Sequence, residues 1–404
     1  MLNVLKVPMV PRVLVLMVMT VLMVPRGVVR AQAPAAAPTV DPRIAKLVAS
    51  VSEERMQQLL QKLSSFKTRN TCSNPSTPDG IGAARQWIYD ELARTSPKLK
   101  VSFDTYQLPT VRGCAGAVEL RNVMAVLPGK TPRRIYVSGH YDSINLGAGG
   151  QQATNSGAQS AEGAATRPGA AAQAPGEAPA PVQPRPIRDP NIVAPGANDD
   201  GSGTVLSMEL ARVFAESGID FDATLVFMTV AGEEEGLLGA AAHAKKAKAD
   251  STPIQAWFNN DIVGGSHGGD GIIDTATVRV YSEGPEDSPS RSLATFTRRV
   301  AAEYVPSHQL RLMARRDRFS RGGDHSALTA EGFAAIGFRE SRENYSKQHG
   351  PNDTIDGVDF RYLGQNARAN AAAMAILALA PPPPGVTGAR AAPTIDRRPS
   401  GYDA

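Results

Sequence analysis

Histidines and carboxylates follow several of the apolar segments that the sequence predicts as β-strands. The segment IYVSG leads into His140 and Asp142. TLVFMTV leads through Ala-Gly into Glu233 and Glu234, and WFNN leads into Asp261. In a parallel α/β sheet, functional sites form beyond the carboxyl ends of the strands. We therefore expect these side chains to meet at one edge of a sheet.

Side chains of this kind could hold a pair of metal ions, provided that one carboxylate bridges the pair. The candidate ligands are His140, Asp199, Glu234, Asp261 and His349. Imidazole and carboxylate together suit zinc or another borderline divalent ion. Two neighbouring metals lower the pKa of a shared water and stabilise a tetrahedral oxyanion. A nearby carboxylate must take the proton of that water, and Glu233 is placed for this role.

Apolar periodicity predicts that strands and helices alternate along the chain. Strands are predicted at 101–108, 118–127, 135–139, 223–230, 254–261, 277–282 and 333–338. Helices are predicted at 41–66, 80–94, 202–217, 237–248, 290–304 and 359–377. This alternation is typical of a mostly parallel sheet with helices on both faces.

Five short segments carry a resemblance to a known family. They are GHYDS (139–143), PGANDDGSG (195–203), GEEEGLLG (232–239), NNDIVG (259–264) and HGPNDT (349–354). In this order they resemble the signatures of the dizinc aminopeptidase family of metallopeptidase clan MH. The resemblance implies an α/β fold of the zinc exopeptidase, phosphorylase/hydrolase-like kind, with a mixed, mainly parallel sheet of about eight strands between helices. It also implies two Zn²⁺ per chain and peptide substrates.

The resemblance assigns roles to the residues around the first metal. His140 and Asp261 would bind one zinc. Asp142 would support the site without binding the metal itself. Asp199 would bridge the two metals, and the Asp199–Asp200 peptide bond would be cis, as in relatives.

Around the second metal, the resemblance assigns Glu234 and His349 as ligands. Three adjacent glutamates occupy 233–235. The family spacing Glu-Glu-x-Gly-Leu selects Glu233 as the general base and Glu234 as the ligand. Glu235 is left as the variable position. The implied reaction is hydrolysis of the first peptide bond by a hydroxide held between the metals.

Two features near the last histidine concern substrate binding. Many relatives have a tyrosine just before this histidine, whereas Gln348 stands here and Tyr345 lies three positions earlier. Tyr345 is the candidate to hold the oxyanion in its place. Asp324, in RGGDHSAL, resembles the Asp of the Ser-Asp-His-x-x-Phe segment of the family and is the candidate for a wall of the cleft.

Other functions of the same fold remain open. A carboxypeptidase or dipeptidase could use Arg339 and Arg342 to hold a substrate carboxylate, although both could equally form structural ion pairs. Glutaminyl cyclases share His-Tyr-Asp-Ser but use one zinc and lack the intact Asn-Asp-Asp-Gly-Ser-Gly. A non-catalytic binding domain would have lost ligands that this chain retains.

The N-terminus resembles a signal peptide, assigned to residues 1–33. Lys6 and Arg12 precede an apolar run at 13–24, and AQA at 31–33 resembles a cleavage site. The run is about twelve residues long, whereas a membrane-spanning helix needs about 20. We expect an exported protein, periplasmic or extracellular, without stable membrane association after cleavage. An uncut signal that anchors the protein is the alternative.

The remainder of the chain is interpreted as a linker at 34–40, a single zinc peptidase domain at 41–380 and a disordered, Pro-rich tail at 381–404. Residues 147–196 are rich in Ala, Gly, Pro and Gln. Such a segment buries too little apolar surface to offset its ordering entropy, and it is interpreted as a low-complexity insertion.

The charge balance argues against a nucleic-acid-binding protein. The chain has 43 basic and 39 acidic residues. Four of the basic residues and no acidic residue lie in the first 40 positions, so the rest of the chain carries 39 of each. Nucleic-acid-binding domains usually carry a strong basic stripe.

The cysteines and the remaining histidines carry less information. In an exported protein, the lone pair Cys72 and Cys114 often forms a disulfide, which is the expectation here, with two free buried thiols as the alternative. His243 lies in a Lys-rich helix, His267 in a Gly-rich loop, and His308 after Pro-Ser. These three histidines are interpreted as surface residues.

Overall fold

A computed structural model of the chain describes residues 40–147, 189–319 and 321–381. The predicted signal peptide, nearly all of the predicted linker, insertion residues 148–188 and tail residues 382–404 lie outside the described part. No helix within the described ranges has both the length and the apolar character that crossing a membrane requires.

The described chain is built around an eight-stranded sheet with the order β1-β2-β4-β3-β5-β8-β6-β7. The strands are β1 (Lys100–Leu108), β2 (Val118–Leu127), β3 (Thr131–His140), β4 (Ala223–Val230), β5 (Ile254–Asn260), β6 (Thr277–Tyr281), β7 (Gln309–Met313) and β8 (Ala335–Glu340). The predicted α/β fold with a mixed sheet is confirmed.

The four central strands β4, β3, β5 and β8 run parallel to one another. Their carboxyl ends therefore lie at the same edge of the sheet. On one side β2 pairs antiparallel with β4, and β1 pairs antiparallel with β2. On the other side β6 is antiparallel to β8, and β7 is parallel to β6.

Helices cover both faces of this sheet. They are α1 (Pro42–Ala49), α2 (Glu53–Ser64), α3 (Ile81–Thr95), α4 (Ser202–Glu216), α5 (Leu238–Ala249), α6 (Pro289–Tyr304), α7 (Asp324–Ala330) and α8 (Phe360–Leu379). Successive side chains of a strand point to opposite faces. In β4, Leu225 and Phe227 pack in one apolar cluster with α4 and α8, while Val226 and Met228 pack in another with α5 and α7.

The structure differs from the predicted elements in three places. The predicted helix 41–66 is two helices, because Ser52 caps a new one by accepting a hydrogen bond from the backbone N–H of Arg55 at 3.1 Å. Strand β7 and helix α7 were not predicted. They have five and seven residues, which is too short for a clear apolar period.

The end of the predicted insertion is part of the packed structure. Ala194 is buried, and its N–H donates to the carbonyl of Lys67 at 3.0 Å. Its carbonyl accepts a hydrogen bond from Ser143 Oγ at 2.8 Å. Residues 189–196 thus belong to the domain, because their backbone groups find partners on the segments around 67 and 143.

The expected disulfide joins Cys72 and Cys114. The surface assignment is correct for His267, which is exposed, but wrong for the other two histidines. His243 is buried, with Nδ1 2.8 Å from Asp104 Oδ2. His308 is also buried, with Nε2 2.7 Å from Asn366 Oδ1. Both rings have polar partners that lie far away in the sequence.

Candidate active site

The five predicted ligands converge at the carboxyl edge of the central strands. His140 is the last residue of β3, and Asp261 follows β5 directly. Glu234 lies in the loop after β4, and His349 lies in the loop after β8. Asp199 lies in a kinked segment, Ala197–Gly201, that leads into α4, and its own backbone dihedral angles are not helical. The Asp199–Asp200 peptide bond is cis, as the family resemblance implies.

One group of ligands consists of His140, Asp199 and Asp261, all buried. His140 Nε2 lies 3.3 Å from Asp199 Oδ1 and 3.7 Å from Asp261 Oδ1. The ligand atoms of this group lie within 4.8 Å of one another, which is compact enough for all three to coordinate one zinc ion.

A second group consists of Asp199, Glu234 and His349. His349 Nε2 lies 3.1 Å from Asp199 Oδ2 and 3.3 Å from Glu234 Oε2. Asp199 belongs to both groups and presents a different carboxylate oxygen to each. The pairing of His140 with Asp261 and of His349 with Glu234 is the pairing that the family resemblance implies.

The chemistry of this donor set fits a divalent cation. His140 Nε2 and Glu234 Oε1 are buried and have no hydrogen-bond partner within the described chain. Burial and the neighbouring carboxylates of Asp199 and Glu233 raise the pKa of Glu234 well above its usual value. A bound cation would satisfy the unpartnered atoms and offset the repulsion among the carboxylates.

Asp142 links two of the loops that carry the site. Its carboxylate accepts hydrogen bonds from the backbone N–H groups of Glu233 and Glu234, each at 3.2 Å. It also lies 3.6 Å from His140 Nδ1 and accepts a hydrogen bond from Thr71 Oγ1 at 3.2 Å. Asp142 therefore orients a ligand on β3 and the glutamates after β4 together.

Glu233 faces the first group of ligands. Its Oε2 lies 3.9 Å from His140 Nε2. Burial raises the pKa of Glu233 well above its usual value, although the nearby His140 opposes this effect. A buried carboxylate beside the metal ligands has the position and the basicity that a general base requires.

Two aspartates to which the sequence assigned no role hold the segment around Asp199 in place. Asp200 Oδ2 accepts the N–H of His140 at 2.9 Å. Asp353 accepts the N–H groups of Asn198 and Asp199, each at 2.9 Å, and burial together with the Asp199 charge raises its pKa to about 7. Asp200 and Asp353 both lie within the family-like segments, so their positions were a usable signal.

Arg339 is paired with Asp261, one of the predicted metal ligands. Its Nη1 lies 2.6 Å from Asp261 Oδ1, and its Nη2 lies 3.0 Å from Asp317 Oδ2. All three side chains are buried. Arg342 lies farther out, where Nη1 is 3.4 Å from Asp270 Oδ2. Both arginines thus take part in ion pairs, which is one of the two roles considered from the sequence.

Arg69, which no sequence signal indicated, is a fully buried cation beside the site. It donates to the carbonyls of Tyr141, Pro195 and Gly196 at 2.6, 2.5 and 2.7 Å. Burial lowers its pKa to about 10, so it remains charged at neutral pH. Arg69 ties the end of β3 to the segment before Asp199.

A cleft of about 570 Å³ opens beside Glu233 and Glu234. Its walls also include Asn70, Cys72, Arg112, Ile144, Asp189 and Leu237. Gly322 contributes to the same wall. The cleft thus lies next to Glu233 and to the predicted metal ligand Glu234.

Two residues were predicted to bind substrate, and neither is among the described residues that line this cleft. Asp324, at the start of α7, is fully buried, and neither of its carboxylate oxygens has a hydrogen-bond partner within the described chain. Burial raises its pKa to about 8. The hydroxyl of Tyr345 donates to Glu343 Oε1 at 3.5 Å. Substrate contact by either residue stays a prediction.

The paired His/carboxylate groups at the carboxyl edge of this α/β sheet define a candidate metal-dependent enzyme. Residues 122–374 match the sequence profile of peptidase family M28, and the chain belongs to this family. A probable zinc metalloprotease of Leptosphaeria maculans is 33% identical over 378 residues, which cover 85% of this chain and 78% of the relative. One of Pyrenophora teres is 32% identical over 380 residues, which cover 85% and 70%. The protein is therefore a zinc metallopeptidase.

Solved structures share the fold at low sequence identity. The LapA aminopeptidase of Legionella pneumophila superposes with a TM-score of 0.60 at 16% identity, over 84% of this chain and 75% of that one. The glutaminyl cyclase of Porphyromonas gingivalis superposes with a TM-score of 0.57 at 15% identity, over 80% and 98%. At such identities these neighbours establish the architecture alone, because one fold supports different activities.

Proposed function

We propose that this metallopeptidase is an exported aminopeptidase that binds two zinc ions. The observation that carries the proposal is the position of Asp199, which offers Oδ1 to His140 and Oδ2 to His349. A carboxylate shared in this way between two complete ligand groups is what a pair of adjacent ions requires.

Each residue of the site then has a role in peptide hydrolysis. Zinc, when bound, polarises the scissile carbonyl and makes a water more acidic. Glu233 takes the proton of the attacking water and delivers it to the nitrogen of the leaving amine, so that one water is consumed as the peptide C–N bond breaks. Asp142 holds the backbone of Glu233, and Arg339 holds Asp261.

The charge around the cleft supports cleavage from the N-terminus. Besides the site residues Glu233 and Glu234, whose charge bound zinc would offset, Glu235 and Asp189 line it, against one lining cation, Arg112, among the described residues. An acidic cleft attracts the α-ammonium group of a peptide. The two arginines considered for a carboxypeptidase, Arg339 and Arg342, pair with aspartates instead.

Export is supported by the Cys72–Cys114 disulfide, because disulfides persist mainly in oxidising compartments. Edman or mass-spectrometric analysis of the protein secreted by its native host tests this part. A mature N-terminus within a few residues of Gln32 would support export followed by cleavage. Membrane-bound protein that retains its first residue would contradict cleavage and would support an uncut signal that anchors the protein.

Mass spectrometry of peptide digests tests the polarity of cleavage. The zinc-loaded protein is incubated with one peptide in three forms: unblocked, N-acetylated and C-amidated. We expect a ladder shortened from the N-terminus, blocked by acetylation and unaffected by amidation, and lost after exhaustive chelation. A ladder from the C-terminus that amidation blocks would instead establish a carboxypeptidase. Metal-loaded protein that cleaves none of the peptides would favour a binding role.

Metal analysis tests the number of ions separately from activity. We expect two zinc ions per chain, because both ligand groups are complete. A stoichiometry near one, together with release of ammonia from a peptide that begins with glutamine, would favour a glutaminyl cyclase.

A further inference from the structure

The loop that carries Glu233 and Glu234 is closed at its base. It runs from Ala231, just after β4, to Gly239, in the first turn of α5. The N–H of Gly239 donates to the carbonyl of Ala231 at 2.9 Å. The two ends of the loop are therefore neighbours, and a residue that holds both ends fixes the segment from which the two glutamates project.

Asn122 bonds to both ends of this loop. It lies in β2, which pairs with β4, and it is fully buried. Its Oδ1 accepts a hydrogen bond from the N–H of Ala231 at 3.0 Å. Its Nδ2 donates to the carbonyl of Gly239 at 3.2 Å. One side chain from a neighbouring strand thus joins the backbone on the two sides of the loop.

A third hydrogen bond fixes the orientation of the Asn122 amide. Its Nδ2 also donates to Asp104 Oδ2 at 3.3 Å. Asp104 in turn lies 2.8 Å from Nδ1 of His243 on α5, and it accepts a hydrogen bond from Tyr106 at 2.8 Å. The amide nitrogen therefore faces two acceptors, while the amide oxygen faces one donor. Among side chains of this size, only a carboxamide supplies that combination.

Close packing at the base leaves the loop little space to move. A Cβ on Gly239 would lie 2.2 Å from Asn122 Oδ1 and 2.4 Å from the carbonyl oxygen of Ala231. Glycine at 239 therefore allows the backbone and the amide to approach each other closely. Farther along the loop, Asp142 accepts the backbone N–H groups of both glutamates. Asn122 thus holds the base of the loop, and Asp142 holds the part that bears the two carboxylates.

We propose that Asn122 is a positioning residue for the reaction. By bonding to both ends of their loop, it keeps the general base Glu233 and the metal ligand Glu234 in place. The expected effect on turnover rests on the proposed function. The expected effect on zinc concerns the second group of ligands, because Glu234 belongs to that group while His140 and Asp261 come from other parts of the sheet.

The test compares Asn122→Ala and Asn122→Asp with the wild type. Asn122→Asp keeps the size of the side chain and one oxygen, but it replaces the donating nitrogen by a second oxygen. Thr224→Val is the matched control. Thr224 lies in β4 at the end away from the site, and its hydroxyl also makes hydrogen bonds to two backbone groups. Hydrogen exchange by mass spectrometry, zinc binding in competition with a chelator, kcat, KM and thermal denaturation are measured for each zinc-loaded protein.

For Asn122→Ala we expect the amide hydrogens of residues 231–239 to exchange faster than in the wild type, and those of 197–204 to exchange as before. The dissociation constant of one zinc ion should rise about 10- to 100-fold, as for loss of a group that orients a ligand, and that of the other ion should not change. Turnover, kcat, should fall by a similar factor, with little change in KM. Asn122→Asp should be at least as impaired, because its added oxygen faces two acceptors. Thr224→Val should lose thermal stability alone.

Three results would overturn the proposal. The first is unchanged exchange at 231–239, or unchanged zinc affinity together with unchanged kcat, in a folded Asn122→Ala. The second is wild-type behaviour of Asn122→Asp, which would mean that Asn122 only fills space. The third is an equal loss of zinc affinity and kcat in Thr224→Val, which would trace the effect to general destabilisation. If Asn122→Ala does not fold, Asn122→Asp decides in the same way. A wild type that binds zinc but cleaves no peptide would remove the proposed function, while exchange and zinc binding would still decide the role of Asn122.

Discussion

Glu233 and Glu234 are neighbours in the chain with different surroundings. Glu234 Oε2 lies 3.3 Å from His349 Nε2, within a ligand group that contains Asp199. Glu233 Oε2 lies 3.9 Å from His140 Nε2 and belongs to neither ligand group. Asp142 accepts the backbone N–H groups of both residues, and their carboxylates lie in different surroundings.

The variant Glu233→Gln tests this division. The amide cannot take a proton from water, so we expect kcat to fall about 100- to 10,000-fold, while zinc content stays at the wild-type level. Steady-state kinetics and metal analysis measure the two effects. Glu303→Gln, at an exposed position of α6, is the control and should keep its kcat. Near-wild-type turnover by Glu233→Gln would rule out the base.

Asp317 contributes to stability near neutral pH through its two arginine neighbours. Burial disfavours its charged form, but Arg339 and Arg318 outweigh burial and lower the pKa of Asp317 from 3.8 to about 2. A depressed pKa stabilises the folded state above the unfolded value of about 4, and this contribution is lost as pH falls towards 2.

We therefore expect Asp317→Asn to lower the free energy of unfolding by about 2 kcal/mol at pH 6 and by much less near pH 2. Urea denaturation at both pH values measures the difference. Zinc dissociates from both proteins at low pH, so the comparison is between the two proteins at each pH. A deficit that is equally large at both pH values would contradict the assigned ionisation.

At the scale of elements, the site depends on close contact between β3, α4 and β5. A Cβ on Gly139, in β3, would lie 2.2 Å from the carbonyl carbon of Gly203 in α4. A Cβ on Gly203 would lie 2.0 Å from the carbonyl oxygen of Asn260, at the end of β5. Glycine at both positions lets the start of α4, just after Asp199, lie against the two strands that carry His140 and Asp261.

Gly203→Ala should push α4 away from β5 and shift the bridging carboxylate. We expect a loss of about 1–3 kcal/mol in the free energy of unfolding, as for overpacking of a core, and weaker zinc binding. Urea denaturation and competition with a zinc chelator measure the two quantities. Gly116→Ala, where a Cβ would meet nothing within 4 Å, is the control. Unchanged zinc affinity in Gly203→Ala would show that the site tolerates movement of α4.

At the scale of the whole molecule, one covalent link joins the segment before α3 to the segment between β1 and β2. The Cys72–Cys114 disulfide spans a sequence separation of 42. Cys72 also lines the cleft. The link thus restricts the unfolded chain and holds one wall of the cleft.

The double variant Cys72→Ser/Cys114→Ser should lower the free energy of unfolding by about 2–4 kcal/mol. The reduced wild type should lose a similar amount, which separates loss of the bond from the change of side chain. KM should rise more than kcat falls, because the cleft wall is loosened while the ligands stay in place. Stability equal to that of the oxidised wild type would contradict this account.

Much of the fold was predictable because apolar periodicity is a local property. The strands 118–127 and 223–230 were predicted with the bounds that the structure shows. His243 illustrates a signal that was overlooked. Ala240, Ala244 and Ala247 recur at helical spacing and are buried, and His243 lies on the same side of α5. The nearby lysines indicated that another side of α5 is polar, and they gave no information about the side on which His243 lies.

The sequence by itself determined the class of fold, the ligand types and their order along the chain. Ligands at the ends of parallel strands must share one edge of the sheet, so convergence of His140, Glu234 and Asp261 followed from local patterns. Only the tertiary structure decided that β2 lies beside β4 and that Arg339 reaches Asp261 and Asp317. It likewise placed Asn122 between Ala231 and Gly239. These contacts join residues that are distant in sequence, and their geometry depends on packing that no local period encodes.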